Sequence, residues 1–398
     1  MISEEEARSQ ILEKVSPLDG RAVSLADAID CFAAQDYFAG LPLPAFDNSA
    51  MDGYAVVASS CTKGGRLRLV GEQPAGPDRK LRVSGNEAVR IFTGAPVPQG
   101  ADAIVMQEDV TRNGDEILLN VDVEAGEFVR RRGCDLAEGQ MILRKGGRIP
   151  AATIALLASQ GFADVVVGGK PTAAVISTGD ELVQPGKKLQ PGQIYDSNSA
   201  LLNALLKRCG VSAAVEHCRD DRQSLDNAIK RGIQNHILII SGGVSVGEHD
   251  LVKEALREAG AKIEIWRVAV KPGKPFLFGQ IEHDAPSPTS SCFVFGLPGN
   301  PVSAFVTFLQ LVRPALLRMM GATNLDLPRV PAKLTFDLTN DGDRPHYIRG
   351  KLEHGTFTPV GRQESHALFG LSLANALLRI AVGQMLKADQ IVDVQIWD

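Results

Sequence analysis

Between residue 170 and about residue 321 the chain alternates short apolar runs with longer amphipathic stretches. Runs at 173–177, 211–215, 237–240, 263–270 and 292–295 are of strand length, and stretches at about 199–209, 224–232, 250–259 and 302–320 carry helical periodicity. This alternation predicts βαβ units around a largely parallel sheet. Ahead of it, Ser3 and Glu6 have capping-box spacing, and Ile11, Leu12 and Val15 give a short helix one apolar face. From about Asp47 to Arg132 the texture changes to strand-like runs at 54–58, 66–70, 88–92, 103–107 and 116–121, separated by Gly, Pro and Asn. Pro150 opens a helical run through Ser159, closed by Gly161, and residues 165–167 predict a strand returning beside the first helices. Beyond residue 332 the runs at 334–338, 346–352, 377–381 and 391–397 are again strand-like.

The pattern as a whole predicts a multidomain α/β plus β protein. A helical linker domain takes residues 1–45 and 138–168, an inserted β domain 46–137, a central α/β domain with a largely parallel sheet 169–321, and a small C-terminal β domain 322–398. A length of 398 residues agrees, since it exceeds one ordinary core and suggests about two to four domains.

Composition narrows the function by exclusion. With 44% apolar and 22% charged residues the chain is an ordinary globular one, and a net charge of −5 gives no general basic field for nucleic acid. Six cysteines are scattered without a CxxC pair, which disfavours a zinc site and a disulfide framework. The acidic N-terminus and the lack of a long uninterrupted apolar window predict no membrane span and a cytoplasmic location.

Polar motifs follow four of the predicted strands: Ser177-Thr178-Gly179-Asp180-Glu181, Ser241-Gly242-Gly243-Val244-Ser245-Val246-Gly247, Lys271-Pro272-Gly273-Lys274-Pro275 and Gly296-Leu297-Pro298-Gly299-Asn300-Pro301. Ligands of open parallel sheets bind beyond the carboxyl ends of the strands, so these loops are expected to share one crevice. The glycine-rich loop lets backbone amides approach an oxyanion, although such a turn also serves as a plain tight connection. Lys271 and Lys274, set among prolines, suit a multiply charged anion; the bland reading is a pair of solvated lysines.

Glu181, Asp220, Asp221 and Asp250 fall near the same rim, where carboxylates beside an anion call for a divalent cation, with magnesium the natural choice. Helix capping is the competing explanation for Asp220, Asp221 and Asp250. The histidines show no HExxH spacing and no Ser/His/Asp order is evident.

The segments Asp47-Asn48-Ser49-Ala50-Met51-Asp52-Gly53-Tyr54-Ala55 and Thr93-Gly94-Ala95-Pro96-Val97-Pro98, together with the four loops above, resemble in order the molybdopterin molybdenumtransferases, bacterial MoeA and the gephyrin E domain. The resemblance implies four structural domains including one of molybdopterin-binding type, an elongated homodimer, and magnesium-dependent replacement of the AMP group of adenylated molybdopterin by molybdate. It implies transient contact with the molybdopterin adenylyltransferase and with apo-molybdoenzymes. By motif it carries catalytic roles onto Asp52, Thr93, Asp135, Glu181, Asp221 and Asp250, with Glu181, Asp221 and Asp250 as metal ligands. Substrate binding falls to Ser241, Gly242, Gly243, Ser245, Gly247, Arg267, Lys271, Lys274, Pro298, Pro301, Arg349 and Ser365. Arg267 stands where relatives carry Lys, which keeps the cation but changes its hydrogen-bonding geometry.

Plainer readings stand beside these roles. Asp52-Gly53 reads as a turn, Pro298 and Pro301 as loop punctuation, and Asp135 as neutralising the Arg130-Arg131-Arg132 run. Two other functions compete: a nucleotide pyrophosphate hydrolase of the same α/β fold, related to the competence-damage proteins, and a gephyrin-like scaffold without catalysis.

Overall fold

The strand Ala173–Thr178 is buried at every position, as expected of a strand covered on both faces. It lies inside a six-stranded sheet ordered Ala213–Cys218, Ala173–Thr178, Ile237–Ser241, Ser291–Leu297, Leu277–Glu282, Lys262–Trp266 in the computed structural model, which describes residues 1–243, 251–283 and 291–397. The first four strands are parallel neighbours. Two apolar clusters cover the faces, one including Val175, Ile239, Phe295 and Phe305, the other Ile176, Leu238, Leu225 and Val252.

Three expectations for this sheet need correction. The run at 211–215 is displaced to Ala213–Cys218, because Val211 closes the preceding helix: Gly210 takes φ +75 and the Val211 amide donates to Leu206 O at 2.9 Å. The run at 263–270 is two strands, Lys262–Trp266 and Val268–Ala269, broken at Arg267 with φ +72. The strand Leu277–Glu282 was not anticipated, and it runs antiparallel to both neighbours. Two reversals restore the direction, so Lys262–Trp266 still ends on the same edge as the parallel strands.

The long apolar stretch becomes a helix Pro301–Thr307, a π-helical segment Phe308–Val312 and a helix Arg313–Met319. Its length and composition would suit a membrane span, but its apolar window is 83% buried inside the protein, which makes it a core helix.

At the N-terminus Ser3 caps the helix Glu4–Lys14 by accepting from the Glu6 amide at 3.0 Å. The strand Asp164–Val167 pairs with Arg21–Ser24, a strand the hydrophobic pattern did not reveal, and thereby joins chain from either side of the insertion. The C-terminal residues form a closed barrel of Arg329–Leu334, Thr356–Pro359, His346–Glu353, Ala376–Ile380 and Ile391–Ile396. All these elements belong to a unit of Met1–Gln35, Lys145–Ala151 and Asp164–Asp398.

A second unit comprises Asp36–Arg144 and Ala152–Ala163. Its six-stranded sheet is ordered Ala103–Met106, Gly53–Val56, Glu87–Ile91, Arg66–Gln73, Glu116–Leu119, Val110–Asn113, around a core of Tyr54, Val56, Leu67, Val105 and Ile117. The expected all-β texture is present. The helix Ala151–Ser159 begins one residue after Pro150, and Gly161 follows it with φ +83.

Candidate active site

Loops at the carboxyl edge of the sheet are tied together one after another. Thr178, last in its strand, donates its hydroxyl to Asp220 Oδ1, and the Asp220 amide donates to Asp180 Oδ1 at 3.3 Å. The next loop is held from two sides. Gly242 N–H donates to Leu297 O at 3.3 Å, while Asn198 Nδ2 donates to Ser241 Oγ at 2.9 Å and to Gly299 O at 2.7 Å. A Cβ at Gly242, where φ is +92, would stand 2.6 Å from Thr178 O, and one at Gly243 2.5 Å from Val252 Cγ2. Glycine is therefore required at both positions by close packing alone.

The carboxylates divide. Asp221 is the N-cap of the helix Arg222–Gly232, its two oxygens accepting from the Ser224 amide at 2.9 Å and the Ser224 hydroxyl at 2.7 Å. Those bonds hold its carboxyl below the usual range, the backbone bond contributing most. Capping thus accounts for Asp221 without excluding a ligand on its exposed face. Glu181 is exposed, and its Oε2 lies 2.6 Å from where a Cβ on Gly179 would be, so the side chain folds over a residue that has none. Ser245, Gly247 and Asp250 lie outside the described residues. No group of three or more His, Cys, Asp or Glu side chains placed to hold a metal occurs among the described residues.

Lys271 is exposed between buried neighbours. Its amide donates to Pro345 O and its carbonyl accepts from the Tyr347 amide, both at 2.8 Å, which fastens this loop to the barrel strand His346–Glu353. Gly273 rests on the helix after Pro301, where a Cβ would stand 2.6 Å from Thr307 Cγ2. Lys274 is half-buried and its carbonyl accepts from Val268 N at 3.2 Å. Arg267 is half-buried with its Nε unpaired.

Ser365 reaches the same edge from the barrel. Its hydroxyl accepts from Asn300 Nδ2 at 3.0 Å and its carbonyl from Val302 N at 3.1 Å, next to buried Pro298 and the helix-opening Pro301. Arg349 is wholly buried and donates to the carbonyls of Arg362 and Glu364, so it shapes the turn that presents Ser365.

Sequence reasoning passed over Asn198 and His346. Asn198 lies in the first turn of the helix Ser197–Arg208, which the periodicity began at Ser199, and nothing in an Asp-Ser-Asn string marks one member as a clasp. His346 is buried with Nε2 unpaired, and burial first, then Lys271, Arg349 and Arg344, lower its pKa to about 4. A histidine kept neutral when folded stabilises the protein fully above its unfolded value of 6.5, and that stability is lost as pH falls through about 4. Between those values the loss should approach about 3 kcal/mol from this group. Urea unfolding followed through Trp266 and Trp397 should therefore show a shallower acid-side decline in His346→Gln than in the parent; equal declines would reject the assignment.

In the second unit Asp52 Oδ1 accepts from both the amide and the hydroxyl of Thr93 at 2.8 Å, which lowers its pKa, the amide bond most. The two expected residues are therefore partners. Asp135 is exposed, its amide donating to Leu43 O at 3.0 Å. Against the plainer reading of Asp135, two of the three arginines pair elsewhere: Arg131 with Asp47 at 2.8 Å and Arg132 with Glu138 at 3.5 Å.

Residues 2–161 match the family region described as "MoeA N-terminal region (domain I and II)", residues 174–318 the "Probable molybdopterin binding domain", and residues 331–397 the "MoeA C-terminal region (domain IV)". A molybdopterin molybdenumtransferase of Haemophilus influenzae is 36% identical over 395 residues, covering 95% of this chain and 94% of its own. The chain belongs to the molybdopterin molybdenumtransferase family. Membership makes it an enzyme, as the ordered motifs implied. A second family member, molybdopterin molybdenumtransferase 2 of Mycobacterium tuberculosis, is 35% identical with both chains fully covered. The crystal structure of a molybdopterin biosynthesis MoeA protein from Pyrococcus horikosii superposes with a TM-score of 0.81 at 31% identity, covering 100% of this chain and 99% of that one.

Proposed function

We propose that this chain inserts molybdate into adenylated molybdopterin with release of AMP, in a magnesium-dependent step. Its family supports the broader role, a transferase of molybdenum-cofactor biosynthesis. The observation that carries the finer reading is the single sheet edge that bears Glu181, Ser241, Gly242, Lys271, Pro298 and Ser365, where Gly242 is tied to Leu297, Asn198 clasps Ser241 to Gly299, Ser365 is bonded to Asn300 and Val302, and Lys271 is held by the barrel.

Hard carboxylate oxygens suit magnesium, which completes its shell with water and phosphate oxygens. Glu181 and Asp221, with Asp250 from outside the described residues, would hold it, and it would neutralise charge on the pyrophosphate. The protein supplies no nucleophile: the two dithiolene thiols of the pterin would bind molybdenum through sulfur, one oxygen of molybdate leaving as water with the two thiol protons. Lys271, Lys274 and Arg267 attract and orient the oxyanions, and the Gly243 amide, next along the turn from the Gly242 amide held by Leu297 O, offers them a donor. Cleavage of the phosphate–AMP bond then needs only an oriented oxygen nucleophile from water or molybdate, with AMP as leaving group.

Purified protein mixed with adenylated molybdopterin, molybdate and magnesium should activate an apo-molybdoenzyme. Persistent inactivity of the apo-enzyme would overturn the proposal.

We also propose a cytoplasmic homodimer that meets the adenylyltransferase and apo-molybdoenzymes transiently, with Asp52 of one subunit serving the site of its partner. Mixing inactive Asp52→Ala and Asp250→Ala chains, with random exchange verified by differential tags, should restore up to about a quarter of parental activity from the heterodimer's one intact site. Verified heterodimers as inactive as either parent would place both residues in the same chain's site.

A further inference from the structure

Lys271 is anchored at both ends by residues that the proposed chemistry does not use. Upstream, Val268 and Ala269 pair in parallel with Ile2 and Ser3 at the start of the chain. Downstream, the Tyr347 amide donates to Lys271 O at 2.8 Å, and the Tyr347 side chain, 2% exposed, donates its hydroxyl to Glu4 Oε1. Glu4 is itself buried, and its other oxygen accepts from Arg379 Nε at 3.2 Å. Arg379 is the cross-strand neighbour of Tyr347 on the adjacent barrel strand and also reaches Glu5. Residues 2–4 thus grip the strand before the lysine and the tyrosine after it.

A buried carboxylate joined to a phenol and a guanidinium is costly to desolvate, and it keeps its place only when its bonds are satisfied in one geometry. We infer that Glu4, acting through Tyr347, is a positioning residue that sets where the Lys271 ammonium stands at the oxyanion site. The inference rests on the proposed anion contact of Lys271 and deepens it, since it assigns the accuracy of that contact to the chain's first turn. Glu4 touches no substrate.

A double-mutant cycle on the full chain separates positioning from general support, with molybdate alone as probe, equilibrium dialysis as readout and thermal unfolding as a check on folding. Glu4→Gln keeps the shape and removes the charge. It should weaken molybdate binding about tenfold when Lys271 is present and less than about twofold in the Lys271→Ala background, because a misplaced lysine costs nothing once the lysine is gone. Equal weakening in both backgrounds, or none in either, overturns the inference and leaves the lysine contact standing. If Lys271→Ala alone leaves molybdate affinity unchanged, the contact itself is wrong and the inference falls with it. Should Glu4→Gln lose its cooperative unfolding transition, Tyr347→Phe, which keeps the ring packing and removes one hydrogen bond, takes its place in the same cycle with the same expected pattern.

Discussion

Glu181→Gln should lower magnesium-dependent turnover by about a hundredfold or more while leaving the fold unchanged, because the substitution removes a charge that only the cation needs. The side chain is exposed and folds over Gly179, a position that glutamine can occupy equally well. The loop's geometry comes from elsewhere: Glu181 O accepts from Ile194 N at 2.9 Å, and Leu182 N donates to Gly179 O at 3.1 Å. Exposed carboxylates rarely hold a domain together, so the unfolding midpoint should move little. The check is a rate measured across a magnesium titration. Near-parental turnover at every concentration would show that Glu181 is not a metal ligand.

Lys271→Ala should weaken binding of molybdate and of the adenylated pterin by about one to two orders of magnitude, the range expected when a charge-assisted contact to an oxyanion is removed. Its backbone lies between Pro345 and Tyr347 of the barrel, while the ammonium belongs to an exposed residue, so alanine retains the backbone bonds and removes only the cation. Salt then reports the setting of the contact. An exposed contact contributes less at high ionic strength, where the variant's deficit shrinks, whereas a contact desolvated by bound substrate keeps its deficit. Unchanged affinity for both ligands would reject the contact.

How much of this was legible beforehand follows from what each signal depends on. Ile237–Ser241 and Ala173–Thr178 were readable because strands buried on both faces are apolar without interruption. Leu277–Glu282 was hidden: Lys271-Pro272-Gly273-Lys274-Pro275 reads as loop, and Gly279 interrupts the strand itself. Thr356–Pro359 was hidden for a similar reason, since two threonines and a proline leave Phe357 as its one buried residue. The convergence of the strand-end loops was legible because parallel topology fixes where such loops go, even with one strand displaced, one split and one missed.

Individual partners were not legible. Asp221 as cap and Asp220 as partner of Thr178 are adjacent residues with the same chemistry, and only the direction of the chain at the helix start separates them. Arg349 and Ser365 came from motif resemblance alone, and the buried guanidinium that shapes the turn before Ser365 leaves no trace in hydrophobic periodicity. Glu4 and Tyr347 are separated by 343 positions, a contact that no local pattern encodes.

The most direct test follows AMP release from adenylated molybdopterin by the purified protein with magnesium present, with and without molybdate. Coupled metal insertion predicts rapid AMP release that requires molybdate and rises together with activation of an apo-molybdoenzyme. AMP release at the same rate without molybdate would contradict it and identify a pyrophosphate hydrolase instead.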